Sequence, residues 1–332
     1  MLTCVVLSGG EAPGVNALLA RYVALAGAHG DEALGAVGGF AGLLAGNLVP
    51  LTAALLNPLA ASPGSCLPSS REPVLGTPDA PARLRAQLAA HGVDNLLLFG
   101  GDGSLRHLPP ILRAVGIPYI GIPTTIDNNV PGTEQTLGFD SACNFAYQAL
   151  DGILATAHAL PGRIFMVETL GGGTGFLALQ IALGAGAHAV LIPEYGFDQA
   201  WLNRRLADAV AREGYALLVL SEGVPESRTL AQTIAEQTQI RVRDTRLGHA
   251  QRGAKPSHQD RVLAAQMADC AHDALRDGTA GAIILMRNHE LVAHAGPLDS
   301  FPAPHPDAAL YNRINGLGGD APSGGTGRQR HA

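Results

Sequence analysis

The sequence predicts an α/β protein built on a mainly parallel sheet. Short apolar runs alternate with helical-period segments along most of the 332 residues, glycine-rich or turn-forming loops follow several of those runs directly, and 47% of residues are apolar. The alternation implies βαβ units with helices on both faces of the sheet, and a chain this apolar can bury a sizeable core as two domains or one large α/β unit.

Strands are expected near 2–7, 95–99, 117–122, 164–169, 188–192, 215–221 and 281–286, with helices between them. Residues 41–81, rich in Pro, Gly, Ser and Ala and weak in periodicity, are expected to form a long surface excursion that returns a loop to the site. The tail 316–332, rich in Gly, Ser and Arg, is expected to be disordered.

Composition excludes several functions. A formal charge of -6 without Lys or Arg runs leaves no electrostatic footprint for nucleic acid or an anionic membrane, so an anionic ligand must be met by placed residues. No apolar stretch reaches the ~18 to 20 residues of a membrane span, and Met1-Leu2-Thr3-Cys4 lacks a basic start, which points to the cytoplasm. Cys4, Cys66, Cys143 and Cys270 are far apart and read as small core residues rather than a zinc site or disulfide framework. Lys255, the only lysine, sits in Gly253-Ala254-Lys255-Pro256, which is no Walker A loop and no Schiff-base setting. Arginine must do any phosphate work.

Three loops end strands at the edge where open α/β sheets bind ligands. Ser8-Gly9-Gly10-Glu11-Ala12-Pro13-Gly14 could aim backbone N–H groups at a phosphate, or be a tight turn alone. Gly100-Gly101-Asp102-Gly103-Ser104 holds a carboxylate between glycines, suited to Mg²⁺ with substrate phosphates or to capping a helix. Thr125-Ile126-Asp127-Asn128-Asn129 puts a hydroxyl and a carboxylate two residues apart, on one side of the chain if it is extended, as a phosphate-positioning group and a base require; plain turn chemistry is the alternative. Late in the chain His249 and Arg252 follow a strand carrying Arg241 and Arg243, an anion cradle or a solvated basic face.

Together these loops resemble the phosphofructokinase family from about Leu2 to Leu298, through LSGGEAPGVNALL, GGFAGLL, GSCLPSSR, LLLFGGDGS, IPTTIDNNVPGTEQTLGFDSA, GRIFMVETLGG, VLSEG and LGHAQRGAKPSHQDR. GGDGS, TIDN and GHxQRG in this order are specific to that family. The resemblance implies two doubly wound, mainly parallel-sheet domains with the active site in the cleft between them. Residues 1–138 plus 252–305 would form the larger, ATP-binding domain and 139–251 plus 306–315 the smaller, sugar-phosphate-binding one.

The resemblance further implies ATP-dependent phosphorylation of fructose 6-phosphate. ATP would be bound at Gly10, Arg71, Gly101, Asp102, Gly103 and Ser104, with Mg²⁺ on Asp102. Asp127 would be the base and Thr125 would steady the transferred group. Leu170, Gly171, Glu222 and Arg252 would bind the sugar, and His249, Arg163 and Arg243 its phosphate, the last two arginines coming from a neighbouring subunit of a homotetramer.

The chain departs from the family at several positions. Asn129 stands where a second aspartate is usual, and Gly172 where bacterial members carry an arginine near the ATP phosphates. Pyrophosphate-using members carry an aspartate at Gly103 and a lysine at Thr124, so ATP is the expected donor. Ala20, Ala24 and Ala155 replace arginines of the bacterial effector site, so little response to ADP or phosphoenolpyruvate is expected. Asn129 and Gly172 leave room for a non-catalytic, regulatory sugar-phosphate-binding subunit. Pyrophosphate use, or another sugar phosphate as acceptor, is a further alternative.

Overall fold

The structure is a computed structural model that describes residues 1–9, 11–70 and 73–317. The expectations at Gly10 and Arg71, and for 318–332 of the tail, lie outside the described residues. In chain order the strands are β1 (Leu2–Ser8), β2 (Glu32–Ala36), β3 (Leu48–Pro50), β4 (Asn95–Gly100), β5 (Tyr119–Pro123), β6 (Arg163–Thr169), β7 (Ala189–Leu191), β8 (Tyr215–Ser221), β9 (Arg241–Arg246), β10 (Ala282–Arg287) and β11 (Glu290–His294). The helices are α1 (Val15–Ala28), α2 (Gly39–Leu44), α3 (Ala53–Leu56), α4 (Ala80–Ala90), α5 (Asp102–Val115), α6 (Phe139–Ala159), α7 (Phe176–Gly184), α8 (Gln199–Glu213), α9 (Ser227–Thr238), α10 (His258–Arg276) and α11 (Ala308–Asn315).

The chain forms two compact units. Among the described residues, the first holds those of Met1–Ala142 and Arg252–Pro304, the second those of Cys143–Gln251 and 305–317. In the first unit the sheet order is β11-β10-β5-β4-β1-β2-β3. Only the edge strands β3 and β11 run antiparallel to their neighbours. Because successive strand residues point to opposite faces, Val5, Leu7, Leu97, Phe99, Ile120 and Ile122 pack with α1 and α10 on one face. Cys4, Val6, Leu96 and Leu98 pack with α2, α4 and α5 on the other. All six residues of β4 are buried, as a strand covered on both faces requires. Each such leucine contributes roughly 1.5–3 kcal/mol.

From β1 the chain winds outward to β2 and β3, then returns to β4 on the other side of β1 and continues through β5 to β10. The carboxyl ends of β1 and β4 are therefore a topological switch point, where neighbouring loops diverge and leave a crevice.

The second unit is a parallel sheet of order β7-β8-β6-β9. Leu202, Leu206, Leu230 and Ile234 of α8 and α9 cover one face, while α7, with Leu177 and Ile181 fully buried, packs on the sheet as well. The α11 residue Asn315 mimics a strand edge: its Oδ1 accepts from Val190 N at 2.9 Å and its Nδ2 donates to Val190 O at 3.0 Å.

The segment 41–81 is not a surface excursion. It contributes the rest of α2, then β3 and α3, and buries Leu43, Leu51, Leu56 and Leu67 in the core. Their spacing matched no single period because the elements are short. The segment does return to the first glycine loop, where Ser70 bridges Ser8 and the Ser69 hydroxyl donates to Gly9 O. Of the cysteines, Cys4 and Cys143 are buried and Cys66 and Cys270 half-buried. Among the described residues no helix is long and apolar enough to cross a membrane.

Candidate active site

The switch point of the first unit opens into a cavity of about 560 Å³. Gly101, Asp102, Gly103 and Ser104 line it from the start of α5, Thr125 and Asp127 from the turn after β5, and Arg252 from the segment before α10. Ser104 ties two loops together, its Oγ donating to Ser8 O at 3.0 Å. These are the loops at the ends of β1 and β4.

Asp102 does not cap α5. Gly101 is the N-cap residue, without a side-chain cap, and Asp102 is the first helical residue. No N-cap side chain therefore takes the first-turn N–H groups, which lie at the positive end of the helix where an anionic ligand is favoured. The Asp102 carboxylate instead accepts from Arg106 Nε at 2.6 Å, one helical turn on, and Arg106 also pairs with Asp299. A Cβ built on Gly103 meets nothing within 4 Å. Packing gives no reason for that glycine, which costs up to about 1 kcal/mol against alanine inside a helix. The space it leaves belongs to the cavity.

The segment 125–129 is a turn rather than an extended strand. Thr125 Oγ1 accepts from Asp127 N at 3.1 Å, a hydroxyl closing its own turn. The turn is secured by Asn128, at φ 51. Its Oδ1 accepts from Thr136 N at 2.8 Å and its Nδ2 donates to Glu134 O at 3.2 Å. Turn chemistry thus falls to Thr125 and Asn128, while Asp127 lines the cavity.

Among the described residues no three His, Cys, Asp or Glu side chains cluster as a metal cage. Asp102 offers one carboxylate beside the open N-terminus of α5. One carboxylate plus ligand phosphates is a common Mg²⁺ environment, so the site fits that ion arriving with a phosphate ligand.

In the second unit, Leu170 and Gly171 follow β6, Glu222 follows β8 and His249 follows β9, all at the carboxyl edge. Glu222 Oε1 accepts from Gly172 N at 2.9 Å, and Gln251 Oε1 accepts from Leu170 N at 2.7 Å. Gly172 has φ 58, a conformation in which an arginine would be strained. Arg163 lies at the opposite, amino end of β6, facing Arg241 in register. With Arg243, Thr156 and Thr245 it lines a separate cavity of about 490 Å³. Arg252 belongs to the first unit and His249 to the second.

The phosphofructokinase family model matches residues 3–275. The chain belongs to the phosphofructokinase family. A relative named ATP-dependent 6-phosphofructokinase, from Lysinibacillus sphaericus, is 36% identical over 315 residues, 94% of this chain and 98% of its own. The phosphofructokinase of Saccharomyces cerevisiae superposes with a TM-score of 0.80 at 25% identity over 90% of this chain, which spans 45% of that longer one. A pyrophosphate-dependent phosphofructokinase from Nitrosospira multiformis superposes with a TM-score of 0.82 at 20% identity, covering 98% of this chain and 94% of that one. That last likeness shows the phosphofructokinase fold, an α/β architecture with a large, mainly parallel sheet.

The sequence alone does not single out Arg106 and His107 of α5, of which Arg106 pairs with Asp102 and His107 lines the cavity. A four-residue step from Asp102 to Arg106 was the available signal. Asn129 lines the same cavity, so a neutral amide stands in the site itself.

Proposed function

We propose that the chain transfers the γ-phosphoryl group of ATP to the primary hydroxyl of fructose 6-phosphate, giving fructose 1,6-bisphosphate and ADP, the phosphofructokinase step of glycolysis. The observation that carries this is one cavity lined by Asp102 and Gly103 at an uncapped helix N-terminus and by Thr125 and Asp127 in a turn. In this reading the first unit takes ATP and the second takes the sugar phosphate. Gly10 and Arg71 complete the ATP set. Assembly as a homotetramer in the cytoplasm belongs to the same reading.

Asp127 accepts the proton of the attacking hydroxyl as its oxygen forms a bond to the γ-phosphorus and the bond to the β-phosphate oxygen breaks. The first-turn N–H groups of α5 hold phosphate oxygens, and Thr125 steadies the group in transit. Because this transition state is loose and highly charged, positioning and distributed positive charge do most of the work. Mg²⁺, held by Asp102 when bound with the nucleotide, supplies part of that charge. Glu222, Leu170, Gly171 and Arg252 hold the sugar, while His249, Arg163 and Arg243 meet its phosphate.

Gly103 favours ATP over pyrophosphate, since the open space beside it admits the α-phosphate. A coupled assay offering ATP or pyrophosphate against a panel of sugar phosphates tests the proposal. Turnover with ATP and fructose 6-phosphate is expected; activity with pyrophosphate alone, or with no acceptor at all, would overturn it.

A further inference from the structure

We propose that Arg106 is an exchangeable counter-ion for Asp102, holding that carboxylate until the metal–nucleotide complex arrives and then passing wholly to Asp299. The inference rests on the reading of Asp102 as the metal ligand.

The geometry is that of one guanidinium shared between two acids. Arg106 Nε donates to Asp102 Oδ1 at 2.6 Å, and its Nη1 pairs with Asp299. The Arg106 and Asp102 side chains are each 32% exposed and that of Asp299 is 74% exposed. Arg106 and Asp102 are one turn apart on α5, whereas Asp299 follows β11, so the two acids lie on independent elements.

A divalent cation on Asp102 would sit a few ångströms from the guanidinium. Unit charges of like sign at that distance, in a half-exposed site, alter cation affinity on the order of tenfold. The arginine need not leave the region to relieve this, because Asp299 already holds its other arm. Asp299 is also the wetter partner, where a charge is better solvated and a salt bridge weaker. A shift of the guanidinium toward Asp299 therefore vacates Asp102 without stranding a charge.

Two opposite effects follow. Removing Arg106 frees the carboxylate and strengthens metal binding, whereas removing the Asp299 charge leaves Arg106 no alternative to Asp102 and weakens it. A merely structural arginine that orients the carboxylate would give the reverse sign at position 106.

The test titrates Mn²⁺ into protein saturated with β,γ-imido-ATP and reads free Mn²⁺ by electron paramagnetic resonance. Arg106→Gln is expected to lower the Mn²⁺ Kd about tenfold, Asp299→Asn to raise it about threefold, and the double variant to match Arg106→Gln. Arg106→Lys, which keeps the charge, should stay near wild type. An Arg106→Gln Kd that is unchanged or higher, in protein whose circular dichroism and Tm show it folded, overturns the proposal. Asp102→Asn separates the two readings: if it binds Mn²⁺ as tightly as wild type, the assignment of the metal to Asp102 falls. If it binds weakly while Arg106→Gln fails to tighten, the counter-ion exchange alone falls.

Discussion

At the scale of single residues, the turn after β5 divides labour between neighbours. Asn128 adopts φ 51 and secures the loop through its amide, leaving Asp127 to line the cavity. Asp127→Ser is therefore expected to lower kcat by ~10²- to 10⁴-fold, with KM values within a few-fold of wild type, because a positioned base contributes that much to rate. Steady-state kinetics decide it, and a variant keeping more than about half of wild-type kcat removes Asp127 from the role of base. Gly103 permits a different test, since a Cβ there meets nothing. Gly103→Ala should raise Tm slightly, by up to about 1 kcal/mol of stability, yet raise the KM for ATP; Gly103→Asp should raise it further by setting a carboxylate against phosphate. If Gly103→Ala stabilises and leaves ATP kinetics untouched, the open space does not serve the nucleotide.

At the scale of elements, the strands that sequence made legible are those whose residues are apolar enough to read in isolation. The six buried residues of β4 and the seven of β8, nearly all buried, announce themselves. By contrast β2, Glu32-Ala33-Leu34-Gly35-Ala36, holds no β-branched or aromatic residue and owes its conformation to pairing with β1. Likewise β11 exists because a two-residue turn at Asn288 and His289, both at positive φ, folds it back on β10. That turn is gripped by Glu134, whose carboxylate accepts from both turn N–H groups and is thereby held below the usual carboxylate range. No local pattern signals a partner 154 residues away. The same holds for Asp260 in the first turn of α10, fully buried, whose carboxylate accepts from Gly138 N at 2.9 Å and Ser141 N at 2.8 Å at the start of α6. Burial pushes its carboxyl up despite those donors. Asp260→Ala would leave buried N–H groups unsatisfied, so a loss of about 2–4 kcal/mol is expected in urea denaturation. A loss under about 0.5 kcal/mol would mean that water replaces the carboxylate.

At the scale of the whole molecule, the order GGDGS, TIDN, GHxQRG was legible because each motif is contiguous, whereas the destination of the arginines was not, because it depends on sheet register. Leu170, Gly171 and Glu222 lie at the carboxyl edge of the second unit's sheet, and Arg163 begins β6 at the other edge. The seven residues of β6 span roughly 20 Å at about 3.3 Å per residue. That exceeds the length of one sugar phosphate. Arg163 and Arg243 line their own cavity, with Arg163 opposite Arg241 in register, a crowding of like charge that an anion would relieve. If Glu222 and these arginines serve one acceptor molecule, a second copy of the chain is the proposed source of the arginines. Arg243→Ser should then raise the KM for fructose 6-phosphate roughly ten- to a hundredfold, the loss of one charge-assisted contact of ~1.5–3 kcal/mol, while the KM for ATP barely moves. Mixing gives the sharper test, since Asp127→Ser and Arg243→Ser chains are each impaired at every site of their own oligomers. In a mixed oligomer, a site built from the Asp127 of one chain and the Arg243 of another is whole. Co-refolded mixtures are expected to regain a fraction of wild-type activity at low fructose 6-phosphate. If mass spectrometry shows that mixed oligomers form and the mixture is still no more active than the average of its parents, both residues act within one chain and the shared site is wrong.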